Sequence, residues 1–221
     1  MIRSDEQIKK DIVDELYWDT SIDASKVSVT VDHGVVTLTG EVPTYGELTT
    51  ARSAAWRIEG VLDVMDNLTV SYVMPPELPS DTELRTRVIN ILTWEPAIDE
   101  TELTASVTDG IVTVEGTVDS YWKRPYVENR IAGLRGVLGI ENRIAVVPTR
   151  KMTDEVVAQD VTSALKRDVL VDPRNVTVAV TDGIVTLTGS VPGWASRHSA
   201  ERDAANTAGV VAVRNELKIA A

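Results

Sequence analysis

Two hydrophobic periods follow one another along this chain in a fixed order, and the order occurs three times. A helical stripe comes first: Ile8, Ile12 and Leu16 recur as Leu84, Val88 and Leu92, then as Val157, Val161 and Leu165. Apolar residues four apart, with charged residues between them, form one buried stripe on a helix. Ser4 with Gln7 and Ser80 with Glu83 have capping-box spacing, whereas Thr153 is offered a cap without a box, because Val156 cannot complete it. A period of two follows. Val27, Val29 and Val31 alternate with polar residues, as do Leu103, Ala105 and Val107, and Val176, Val178 and Val180. This is the pattern of a strand buried on one face. Gly34, Gly110 and Gly183 then precede a second alternating run, with Val36, Leu38, Gly40 and Val42 on its inner face in the first copy. Asp-Gly ahead of such a run predicts a hairpin, because glycine takes positive φ without steric cost.

The remaining elements repeat as well. A second helix is expected to begin near Tyr45, Tyr121 and Trp194, with Ala51, Ala55 and Ile58 as its inner positions in the first copy. Gly60, Gly136 and Gly209 are expected to end these helices as C′ glycines. Gly40, Gly116 and Gly189, inside the second strands, leave room for close approach of another element. A last strand spans Val61–Val70, Val137–Val146 and Val210–Ile219. The turn glycines lie 76 and 73 residues apart, a period of tandem small domains and not of a solenoid. The expectation is an α+β chain of three tandem αββαβ units, 1–74, 75–150 and 151–221. Each unit is a three-stranded mixed sheet with two helices on one face, its last strand parallel to the strand before the crossover helix.

Composition narrows the function. The net charge is −12, which opposes nucleic-acid binding, since phosphate contact needs a basic face. The absence of cysteine removes disulfides, thiolate metal sites and thiol nucleophiles. No apolar run reaches the roughly 18 residues of a membrane span. The charged N-terminus shows no secretory leader, so the expected compartment is cytoplasmic, or periplasmic only if a leader was removed. Charge falls unevenly, at −7, −4 and −1 for the three units.

Few residues offer chemistry. His33 and His198 fall in different copies without zinc-like spacing, and no phosphate-loop motif or nucleophile–base pair is present, so neither a metal nor a cofactor is expected. Asp23, Asp99 and Asp172 follow an apolar residue in each copy, and bonding to local backbone N–H groups is favoured over cation binding. In the nearly neutral third unit, Trp194, Arg197, His198 and Arg202 cluster at the start of a helix, a composition suited to a headgroup layer. A solvated helix face is the plainer reading, because Tyr45 and Tyr121 hold the same slot. Trp18 and Trp94 recur at the end of the first helix, where the third copy has Arg167. The favoured reading packs them across a domain interface, and the other makes them a partner site.

The D-G-x-V-T-L-x-G-x-V hairpin, with the G-V-x-x-V-x-N ending at Gly136–Asn142 and Gly209–Asn215, resembles the BON family, named for bacterial OsmY and nodulation proteins. Asp66 departs from the family at the final Asn. The resemblance implies an αββαβ fold, a place in osmotic or envelope stress, and binding without catalysis. It also implies phospholipid or potassium as ligands for some members. The expected function is therefore a stress-associated binding or scaffolding protein that contacts a partner protein or anionic phospholipid. The alternative is a potassium, calcium or osmolyte sensor that rearranges its domains.

Overall fold

In the computed structural model, residues 3–71, 78–98 and 102–220 are described. Linker residues 72–77 and Asp99 lie outside them. The first repeat runs α1 (Asp5–Trp18), β1 (Val27–Asp32), β2 (Val35–Val42), α2 (Tyr45–Trp56) and β3 (Asp63–Val70). The second is α3 (Asp81–Trp94), β4 (Leu103–Thr108), β5 (Ile111–Val118), α4 (Lys123–Ala132) and β6 (Gly139–Val146). The third is α5 (Asp154–Arg167), β7 (Val176–Thr181), β8 (Ile184–Val191), α6 (Trp194–Ala205) and β9 (Ala212–Ile219). The three sheets have the orders β1-β2-β3, β4-β5-β6 and β7-β8-β9. The α+β architecture, repeated three times, is thus the expected one. By Cα proximity the chain forms two compact units, one of 1–95, 104–114 and 127–142, the other of 96–103, 115–126 and 143–221. The first repeat lies wholly in one and the third wholly in the other.

Each sheet is built from an antiparallel hairpin and a parallel return strand. In the first repeat Val29 faces Leu38, and Leu38 faces Asp66; in the third, Val178 faces Leu187, and Leu187 faces Asn215. The stripes Ile8–Ile12–Leu16 and Val157–Val161–Leu165 are at most 3% exposed and close over these faces. Ala51, Ala54 and Ala55, all fully buried, let α2 lie close to the sheet. Cores of aliphatic residues and alanine suffice because every element contributes one full stripe.

The hairpins turn on two residues of positive φ, His33 (49°) with Gly34 (77°), Asp109 (50°) with Gly110 (75°), and Asp182 (51°) with Gly183 (73°). That is a type I′ turn, whose twist matches the flanking strands. The inner glycines answer a different need. A Cβ on Gly40, Gly116 or Gly189 would lie 2.0, 1.9 or 2.0 Å from the carbonyl oxygen of Lys26, Glu102 or Asn175. The element that approaches closely is therefore the backbone just ahead of the hairpin's first strand.

Three expectations are corrected. Gly60 and Gly209 are not C′ glycines: the caps are Arg57 and Asn206, in right-handed helical conformation, and the glycines lie three residues later. Bonds from Arg57 N to Ala54 O and Ile58 N to Ala55 O tighten the helix end before the chain turns at Gly60. Gly136 likewise sits beyond the last residue of α4, Ala132. Thr153 makes no side-chain cap bond, whereas Ser80 and Glu83 complete their box. Finally, α4 begins at Lys123, not Tyr121, because Pro125 has no N–H to bond back to that turn.

Gly189→Ala and Gly193→Ala separate these roles. Gly189 has φ 130° and a blocked Cβ site, so its replacement is expected to cost about 1–3 kcal/mol from backbone conformation alone. A Cβ at Gly193 meets nothing within 4 Å. Chemical denaturation should show a clearly lowered midpoint for the first variant and a smaller change for the second, limited to the loss of a favourable N-cap residue on α6.

Candidate functional surfaces

The most repeated contact in the chain was not anticipated from sequence. The Asp5 carboxylate, in the first turn of α1, accepts the backbone N–H groups of His33 (2.8 Å) and Gly34 (3.0 Å). Asp81 does the same for Asp109 and Gly110 at 2.8 and 3.0 Å, and Asp154 for Asp182 and Gly183, both at 2.9 Å. Each hairpin tip is thus held by the helix in front of it. Those two backbone bonds keep the Asp5 carboxyl below the usual aspartate range. The signal was present: Asp recurs 29 residues before every turn glycine. Asp5, Asp32 and His33 place possible metal-donor atoms within 4.8 Å of one another. Asp5 is committed to the turn amides, and His33 Nδ1 lies 2.6 Å from Asp32 Oδ1.

Of the aspartates weighed as cation ligands, Asp23 and Asp172 serve local turns. Asp23 accepts the Ser25 N–H at 3.1 Å. Asp172 accepts the Arg174 N–H at 3.0 Å and both its Nε and an NH2 group, which hold the carboxyl down at about 2.

The cluster expected on α6 is only partly assembled. Trp194 is half-buried and stacks on His198, with centroids 4.7 Å apart and planes 5° from parallel. Arg197 points elsewhere. Its guanidinium donates to the carbonyls of Leu217 (3.2 Å) and Asn215 (2.9 Å), tying α6 to β9. Arg202 is exposed and donates to Ser199 Oγ at 2.9 Å. The aromatic slot has a repeat-dependent use: Tyr45 borders Glu128, Asn129 and Ala132 of α4, and Tyr121 packs on the core of the third repeat.

The exposure of Trp18 and Trp94 runs against the favoured reading that packs them across a domain interface. They are 76% and 82% exposed, with no packing over them among the described residues. Trp18 meets the ring of Tyr17 edge-on at 5.2 Å. Helical position explains this, since the buried stripe ends at Leu16 and Leu92, and residues one or two positions on face outward.

Comparison with known families matches the BON domain to residues 4–72, 80–148 and 153–221. The chain belongs to the BON family. It is 26% identical to Osmotically-inducible protein Y of Escherichia coli (strain K12) over 176 residues, 77% of this chain and 83% of that protein. Two solved structures of CdsD, a structural protein of the type III secretion system of Chlamydia trachomatis, align over 96% of this chain at 16% identity. Their TM-scores are 0.27, with 91% and 96% of those chains covered, the second being the C-terminal domain. No described helix is long and apolar enough to cross a membrane.

Within the BON repeats, the closing Asn has a defined job. Asn215 Nδ2 donates to Arg197 O and to Glu201 Oε2, both at 3.0 Å, and Asn142 Nδ2 donates to Glu128 Oε2 at 3.3 Å. The departing first repeat changes both partners together: Asp66 faces Arg52, 3.9 Å away, where the other repeats have Asn and Glu. The strand-to-helix bridge survives with the hydrogen-bearing partner moved from the strand to the helix.

The third BON repeat also holds a pair of unequal carboxyls. Asp168 accepts a short bond from Ser199 Oγ and the Leu170 N–H, which keep it low. Asp203 is pushed up by burial and by the nearby Asp168 charge, and its Oδ2 is buried without a hydrogen-bond partner among the described residues. A raised folded value means that this group's contribution is present below the ordinary aspartate range and lost as pH rises through the folded value. Asp203→Asn is therefore expected to raise the melting temperature at pH 7, with the gain shrinking toward pH 4. Calorimetry across that range checks the sign.

Proposed function

We propose that this BON protein acts by binding, without catalysis, in a stress response, and that Trp18 and Trp94 are its contact residues for a partner protein. The observation that carries this is their exposure, 76% and 82%, at the same position of two repeats. Large aromatics left in water on a folded monomer mark interaction surfaces, and tryptophan is enriched among residues that dominate interface energy. The stress setting draws on the printed name of the related osmotically inducible protein. Binding without catalysis is supported by the state of the reactive groups. His198 is stacked on Trp194, His33 sits at a turn bonded to Asp32, and Ser199 is 2% exposed.

Anionic phospholipid is the second reading. It draws on the exposed His198 and Arg202 beside Trp194. The commitment of Arg197 to β9 removes one cation from that surface. Trp18 lies among Asp14, Glu15 and Asp19, charges that repel an anionic headgroup.

A Trp18→Ala/Trp94→Ala double variant is expected to keep its melting temperature, because exposed substitutions change stability little. It should lose specific partners when affinity-purified from osmotically stressed cells beside the wild type. An unchanged set of partners would refute the role of these tryptophans. Flotation of the wild type with phosphatidylglycerol vesicles at low salt would move the assignment to lipid.

A further inference from the structure

Two apolar surfaces of this chain, in different repeats, match each other in chemistry. In the first repeat a groove of about 320 Å³ opens between α1 and β1, lined by Val13, Leu16, Tyr17, Ile22, Val27 and Val29. Among the described strands β1 pairs with β2 alone, so the groove runs beside a free strand edge. Val13 and Tyr17 are 46% and 75% exposed. The rim is acidic. Asp23 lines the groove, and Asp19 follows the last residue of α1. Hydrogen bonds from Ser21 and Ser25 hold these two carboxyls below the usual range, so both are charged at neutral pH.

The turn after the leading helix has the same construction in the third repeat. Asp168 accepts the Leu170 N–H at 2.8 Å, as Asp19 accepts the Ser21 N–H at 3.0 Å. The tips differ. The first repeat presents Thr20 and Ser21, while the third presents Val169, 96% exposed, and Leu170, 48% exposed. Among the described residues nothing packs over Val169 to account for an aliphatic side chain so fully in water. Asp168 is turned inward to Ser199, and Asp172, beyond the tip, is paired with Arg174, while the exposed Lys166 and Arg167 precede the tip. Counting from the turn glycines, Thr162 and Lys166 stand where the first repeat has Val13 and Tyr17. The first repeat therefore has the apolar wall without the tip, and the third has the tip without the wall.

We propose that the Val169–Leu170 tip of one chain docks into the Val13–Tyr17 groove of a second copy, with Lys166 and Arg167 meeting Asp19 and Asp23. The contact joins unlike surfaces, so it leaves one groove and one tip free at the ends and adds further copies until a ring closes. Its small apolar area makes it weak and concentration-dependent, and its charges make it sensitive to salt. It uses residues other than Trp18 and Trp94 and needs no partner protein, so its failure would leave that reading untouched.

Sedimentation velocity of the purified full chain at low salt tests this. The wild type should rise in average mass with concentration, past the dimer. Val169→Asp and Val13→Asp, both at exposed positions, should each stay monomeric with unchanged circular dichroism melts. An equimolar mixture of the two should form dimers and nothing larger, because one intact groove and one intact tip remain. A wild type monomeric at every concentration, single variants that associate like it, or a mixture that stays monomeric would each overturn the proposal.

Discussion

The carboxylate at the start of each leading helix grips two backbone amides at the tip of a hairpin 28 and 29 residues away. Three constraints meet in that contact. The turn must be type I′ to match strand twist, which points two adjacent N–H groups out of the ladder. Those donors need an acceptor, and a carboxylate takes both. The helix N-terminus in turn favours a negative charge in its first turn. One residue thus fixes the position of the helix over the sheet, and the aliphatic stripes then need only fill the space between. The close approach at Gly40, Gly116 and Gly189 completes the frame from the other end of the hairpin.

Because the frame is met by backbone and by one aspartate, the remaining surface is free to differ between repeats. The third repeat replaces two outward tryptophans by Arg167 and a polar turn tip by Val169–Leu170. The first repeat exchanges Asn and Glu for Asp66 and Arg52 without losing the bridge between β3 and α2. Conserving the frame while varying its outer face suits a binding scaffold. The same division explains why the hairpin, the most recurrent stretch of the chain, is structural.

Much of the fold was legible in the sequence because each element carries an unbroken period. Ile8–Ile12–Leu16 and Val36–Leu38–Val42 placed helix and strand on one core without reference to anything distant. What was not legible depends on partners remote in the chain or on backbone geometry. The Asp5 clamp joins residues that no local pattern connects, although its threefold recurrence was visible. The cap role expected of Gly60 failed because helix ends are set by bonding in the last turn, not by the next glycine. For the candidate surfaces, Arg197 looked like a free cation beside Trp194, but its side chain reaches the carbonyls of a strand 18 to 20 residues on. The exposure of Trp18 and Trp94 followed from helical phase, each two positions past the end of the buried stripe, and could have been read there.

The turn amides offer the most direct measurement of this account. Amide hydrogen exchange at Gly34, Gly110 and Gly183 should be slow, close to the rate of the neighbouring strands, because each N–H is held in a part-buried bond to the helix carboxylate. Replacing Asp154 by Asn should release protection at Gly183 while leaving Gly34 and Gly110 unchanged. Exchange at all three at the rate of an open surface turn, or a Gly183 amide indifferent to Asp154, would contradict it.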